Sequence, residues 1–98
     1  MHYSQSLEGA VILSDLKQLR KKIDSVDEKI LLFLAERVKV CEDIGLAKKS
    51  QGLPVHDPKR EEEVFNLIRT KAMELGLSPI QVQAVYREIV NMCSSVQE

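Results

Sequence analysis

From Ser14 to about Lys49 the chain contains no proline and one glycine, Gly45. Its apolar residues are Leu16, Leu19, Ile23, Val26, Ile30, Phe33, Val40, Ile44 and Ala47, at steps of 3, 4, 3, 4, 3, 7, 4 and 3. These steps draw one stripe along an α-helix at close to coiled-coil spacing. At 1.5 Å per residue the stretch predicts a rod of roughly 50 Å. The step of seven passes over Arg37. A guanidinium therefore stands where the pattern asks for leucine. Two readings are open. Arg37 snorkels to the edge of the stripe, as long basic side chains do, or the helix opens there onto a pocket with an anionic guest.

Two further cations lie near the stripe. Lys48 is eleven residues beyond Arg37, and at about 100° per residue the two point within about 20° of each other. Arg20 points roughly 100° away from Arg37 in a straight helix. One subunit cannot easily use all three in one site. A second copy of the helix brings Arg20 back.

The rest of the chain reads as two shorter helices. Gly52 and Pro54 end the rod. Asp57 followed by Pro58 starts a second helix that runs to about Glu74. Gly76 ends it, and Ser78-Pro79-Ile80-Gln81 is a capping box for a third, from Pro79 to about Val96. The second carries Val64, Phe65, Leu67, Ile68, Ala72, Met73 and Leu75. The third carries Val82, Val85, Tyr86, Ile89, Val90, Cys93 and Val96 on its inner face. Residues 1–13 read as a mostly irregular arm before a helical domain over 14–98, with Ser14 as the cap of the long helix. Laid end to end, the two short helices just cover the rod and leave wide apolar faces over. The expected fold class is all-α, with three helices per chain in an intertwined homodimer. The competing fold is a monomeric bundle with the first helix kinked at Gly45.

Charge narrows the function. Arg and Lys number 14 and Asp and Glu 15, for a net charge of −1. Such balance supports no general nucleic-acid or membrane-surface role. No stretch approaches a membrane span. The apolar run Ala10–Leu13 is too short for a secretory signal core, so a cytoplasmic protein is expected. Cys41 and Cys93 lack metal-ligand neighbours and are expected as buried, reduced thiols. His56 has no second histidine or cysteine nearby with which to hold a metal.

The ordered set Arg20, Ile23-Asp24, Asp27, Leu34-Ala35-Glu36-Arg37, Ile44-Gly45-x-Ala47-Lys48 and Pro54-Val55-x-Asp57-x-x-Arg60-Glu61 resembles the all-α chorismate mutase family over residues 16–97. The resemblance implies an entwined dimer that rearranges chorismate to prephenate without a cofactor. It also implies roles. Arg37 would bind one substrate carboxylate, and Arg20 would reach the other across the dimer. Lys48 and Gln97 would share the ether oxygen. Asp57 and Glu61 would meet the ring hydroxyl, with Arg60 lining the same pocket. Cys93 departs from the pattern, standing where the family has a small hydroxyl residue; a thiol is a weaker donor. Gln97 has only Glu98 after it, so its contact rests on the last helical turn.

The implied chemistry needs a floppy dianion held in a compact reactive geometry and a fixed cation at the oxygen that becomes anionic. Arginine forks suit the carboxylates. Two other functions remain open to the sequence. One is an isochorismate pyruvate-lyase on the same fold, against which Glu61 and Gln97 weigh. The other is a non-enzymatic helical dimerisation or regulatory module, against which Arg37 and the aligned Lys48 weigh.

Overall fold

A computed structural model describes residues 5–98, with side chains from residue 15 onward. The chain is all-α, with three helices: α1 (Gln5–Gln51), α2 (Pro58–Glu74) and α3 (Pro79–Gln97). α1 begins at Gln5, so Ser14 falls within the helix and not at its cap, and of the arm expected over 1–13 residues 1–4 lie outside the described residues. Between Gln5 and Ser14 only Gly9 disfavours helix, at a cost of about 1 kcal/mol. α1 also runs through Gly45 as regular helix.

Both later boundaries of the sequence reading have a physical cause in the backbone. Gly52 has φ +68° and Gly76 φ +72°, the left-handed region where a side chain is strained. After α1, Leu53 N donates to Lys48 O at 2.8 Å and Gly52 N to Lys49 O at 3.3 Å. After α2, Leu77 N donates to Ala72 O at 2.8 Å and Gly76 N to Met73 O at 3.1 Å. Each set is a Schellman closure that satisfies carbonyls a helix end would leave bare. At the helix starts, Asp57 Oδ1 accepts from Arg60 N at 3.1 Å, and Ser78 Oγ from Gln81 N at 3.3 Å. Pro58 and Pro79 follow those caps and give up no hydrogen bond there.

The chain divides into two compact units, Met1–Phe33 and Leu34–Glu98. In the first, the α1 stripe is open to solvent: Leu19 is 54% exposed, Ile23 59% and Ile30 56%. In the second, α2 packs on α3. Phe65 and Ala72 of α2 and Cys93 of α3 are buried there, with Cys41 of α1. Arg87 lies over the Phe65 ring, 5.4 Å from its centroid, a cation–π contact that closes the edge of this small core. Arg69 of α2 donates to Gln83 Oε1 of α3 at 2.7 Å. Several apolar residues of the second and third helices are exposed in the single chain, including Leu67 and Met73 of α2, Leu75 at its C-cap, and Val85 of the expected inner face of α3. Periodicity marks an apolar face but does not say whether the same chain covers it.

Candidate active site

The second unit holds a cleft of about 270 Å³ between the C-terminal part of α1, the 52–57 turn, α2 and α3. Arg37, Lys48, Asp57, Arg60, Glu61, Cys93 and Gln97 all line it. Seven of the eight residues singled out from the sequence are thus brought together. The eighth, Arg20, is exposed on α1 in the first unit and does not line the cleft.

Lys48 is the most constrained cation. It is half-buried, and Nζ donates to Val55 O and to Gln97 Oε1, both at 2.7 Å. Both acceptors follow Lys48 in sequence, one 7 residues on and one 49. The Schellman closure after α1 turns the chain back so that the Val55 carbonyl returns to Lys48. The last turn of α3 delivers Gln97. An ammonium has three N–H donors, so one is left for the cleft. Among the described residues Lys48 pairs with no carboxylate, and its positive charge is not cancelled locally.

Arg37 is also half-buried. Its Nη1 donates to Cys93 Sγ at 2.6 Å and to Cys41 Sγ at 3.7 Å. Thiol sulfurs are weak, neutral acceptors. They orient the guanidinium without neutralising it, and among the described residues no carboxylate pairs with it either. Burial pushes the Cys41 thiol up to about 11, helped by its hydrogen bond to Cys93 and by charge there, while Arg37 and Lys48 pull the other way. Cys41 therefore stays a neutral thiol at ordinary pH and leaves the Arg37 charge intact.

Two acids line the same cleft. Asp57 uses one oxygen to cap α2, which fixes its carboxylate at the mouth of the cleft. Glu61, one turn on, is half-buried and lines the same cleft. Arg60 reaches the cleft while its Nη1 pairs with Glu63 at 3.3 Å, an exposed contact that is weakly held. The result is a cleft lined by two cations without a carboxylate partner among the described residues and by two acids.

Sequence reasoning missed four contributors. The Val55 carbonyl carries no side-chain signal. Cys41 is the buried, free thiol expected, and its place four residues after Arg37, one turn along the same face, also brings its sulfur to the guanidinium. Ser94 lines the cleft beside Cys93, and His56 lines it from the turn.

Comparison with known proteins identifies this arrangement. The family model for chorismate mutase type II matches residues 19–98. The chain belongs to the type II, all-α chorismate mutase family. It is 40% identical over 89 residues to a bifunctional chorismate mutase/prephenate dehydratase of Aquifex aeolicus, covering 88% of this chain and 25% of that protein. It is 38% identical over 63 residues to a chorismate mutase of Methanocaldococcus jannaschii, covering 64% of each. The chain therefore spans a quarter of the first relative's length and just under two thirds of the second's. Among solved structures, a conserved hypothetical protein from Pyrococcus furiosus superposes with a TM-score of 0.67 at 33% identity, over 86% of this chain and 96% of that one.

Proposed function

We propose that this member of the chorismate mutase family is itself a chorismate mutase, rearranging chorismate to prephenate in a site completed by a second copy of the chain. The observation that carries the reading is the pair Arg37 and Lys48. Both line one cleft, both are held by neutral partners, and neither has a carboxylate among the described residues to cancel it. Two half-buried cations without a counter-charge mark a cleft suited to an anion.

The rearrangement breaks one C–O bond and makes one C–C bond within a single molecule. The protein has two tasks: to hold the chair-like geometry and to stabilise charge on the departing ether oxygen. Arg37 takes one substrate carboxylate. The free N–H of Lys48 faces the ether oxygen. Gln97 turns its carbonyl oxygen toward Lys48, which leaves its NH₂ to donate to the same ether oxygen. Asp57 and Glu61 hold the ring hydroxyl, with Arg60 lining the same cleft.

One cation is missing from this cleft, and one apolar face is uncovered. The α1 stripe from Leu16 to Ile44 is exposed along its length, with Phe33 67% exposed. A helix with such a stripe is not stable alone in water and is covered by another apolar surface. A second copy is the occupant that also supplies the missing charge, as Arg20 of the partner subunit, directed at the second carboxylate. The dimer and the completed site are thus one claim.

The test is to add chorismate to purified protein and follow its loss with formation of prephenate. Turnover supports the reading. Inactivity on chorismate, with pyruvate released from isochorismate, replaces it with the lyase. Inactivity on both leaves a helical interaction module.

A further inference from the structure

We infer that Gly45 is a positioning residue for the Lys48–Gln97 pair. The absence of a side chain at this one position lets the last turn of α3 land on α1. The inference rests on the mutase reading for its catalytic consequence. Its structural part stands apart from that reading.

Gly45 is buried in the middle of regular helix, where glycine costs about 1 kcal/mol relative to alanine. Its φ is not in the left-handed region, so backbone freedom does not explain it. Space does. A Cβ at Gly45 would lie 2.9 Å from Gln97 Cα, and 3.1 Å from both its Cβ and Cγ. The first of these is a backbone atom and cannot rotate away. By contrast, a Cβ at Gly52 or Gly76 would meet nothing within 4 Å. Of these three glycines, Gly45 alone sits at a close approach.

Its neighbour in that approach is the residue whose Oε1 accepts from Lys48 Nζ at 2.7 Å. Gly45 and Lys48 are three apart and share a face of α1. The surface on which Gln97 rests and the ammonium it meets are therefore one turn apart on one helix. Gln97 is the last residue of α3. A terminal turn frays unless tied down. Two ties are present: backbone against Gly45, and amide against Lys48. A methyl group at 45 removes the first and pulls the second out of range. Lys48 then keeps the Val55 carbonyl as its sole described acceptor, and the amide donor leaves the ether oxygen.

The experiment is a double-mutant cycle on Gly45→Ala, Gln97→Ala and the double variant. It reads kcat and KM for chorismate, the Tm, and the side-chain amide resonance of Gln97. Gly45→Ala is expected to shift that resonance and to lower kcat by about tenfold to a hundredfold, short of the 10²–10³ typical for outright loss of a donor, with KM changed less than threefold. The double variant should match Gln97→Ala within about twofold, because both changes remove one interaction. A structural role elsewhere would give losses that multiply instead. Three results overturn the inference: an unmoved Gln97 resonance, a raised Tm with kcat intact, or multiplied losses. If wild type does not turn over chorismate, the mutase reading fails. The Gln97 resonance in Gly45→Ala then still decides the packing claim by itself.

Discussion

Lys48→Gln separates charge from hydrogen bonding at the centre of the site. Glutamine keeps much of the length and a donor but removes the positive charge. In the folded protein Lys48 Nζ is held at 2.7 Å by each of two neutral acceptors, so its position is set before substrate arrives. An ammonium fixed in this way does no reorganising as the ether oxygen becomes anionic, and its value lies in the transition state more than in the bound substrate. The loss of such a group typically costs about 3–4 kcal/mol, or 10²–10³ in kcat. KM should move much less, because the carboxylates are held elsewhere. The structural cost is separate. Hydrogen bonds from a charged donor contribute about 1.5–3 kcal/mol each, and the glutamine amide can keep one of the two, so the variant should melt lower but remain folded. The assay is kcat and KM for chorismate on protein shown by circular dichroism and sedimentation to match wild type in helicity and assembly. A kcat within threefold of wild type would refute the reasoning, since a solvated lysine on an exposed helix face would behave in that way.

Other consequences follow from the same geometry. Sedimentation at micromolar concentration should give about twice the 11.1 kDa chain mass; a folded monomer would remove the cover proposed for the α1 stripe. The Cys41 thiol, ordinarily near 9.0, is raised to about 11 in the fold. The unfolded chain therefore releases this proton first, so stability is full and independent of pH well below 9 and falls as pH rises from about 9 toward 11. Urea midpoints at pH 8 and pH 10 should show wild type losing about 1 kcal/mol more than Cys41→Ala; equal losses would mean the thiol is not held neutral.

The three helices were legible because the signals that bound them are local. Asp57-Pro58, Ser78-Pro79, Gly52 and Gly76 each act through a backbone group within five residues of themselves. The gap at Arg37 was legible as an interruption of a pattern, and Lys48 followed from counting turns. What periodicity could not give was direction between elements. The approach of α3 to Gly45 depends on an absent side chain and on a residue fifty-two positions away. The Val55 carbonyl is a main-chain group that every residue possesses. The start of α1 was misplaced at Ser14 because a good cap residue stood there, although nothing upstream stops a helix. Arg20 stayed ambiguous for another reason: in the proposed dimer its partners lie on another chain, and spacing within one sequence carries no record of them.

The shared site can be tested directly with Arg20→Ala and Arg37→Ala. Each variant alone should be nearly inactive on chorismate, because every site in its dimer lacks one carboxylate-binding cation. Unfolded together and refolded, the two should form heterodimers. One site in each heterodimer then carries both substitutions and the other carries neither. Activity per heterodimer should recover toward half that of wild type. Heterodimers shown to be present but as inactive as the parents would contradict the assignment of Arg20 to the partner's cleft, and with it the account of the site as the product of two chains.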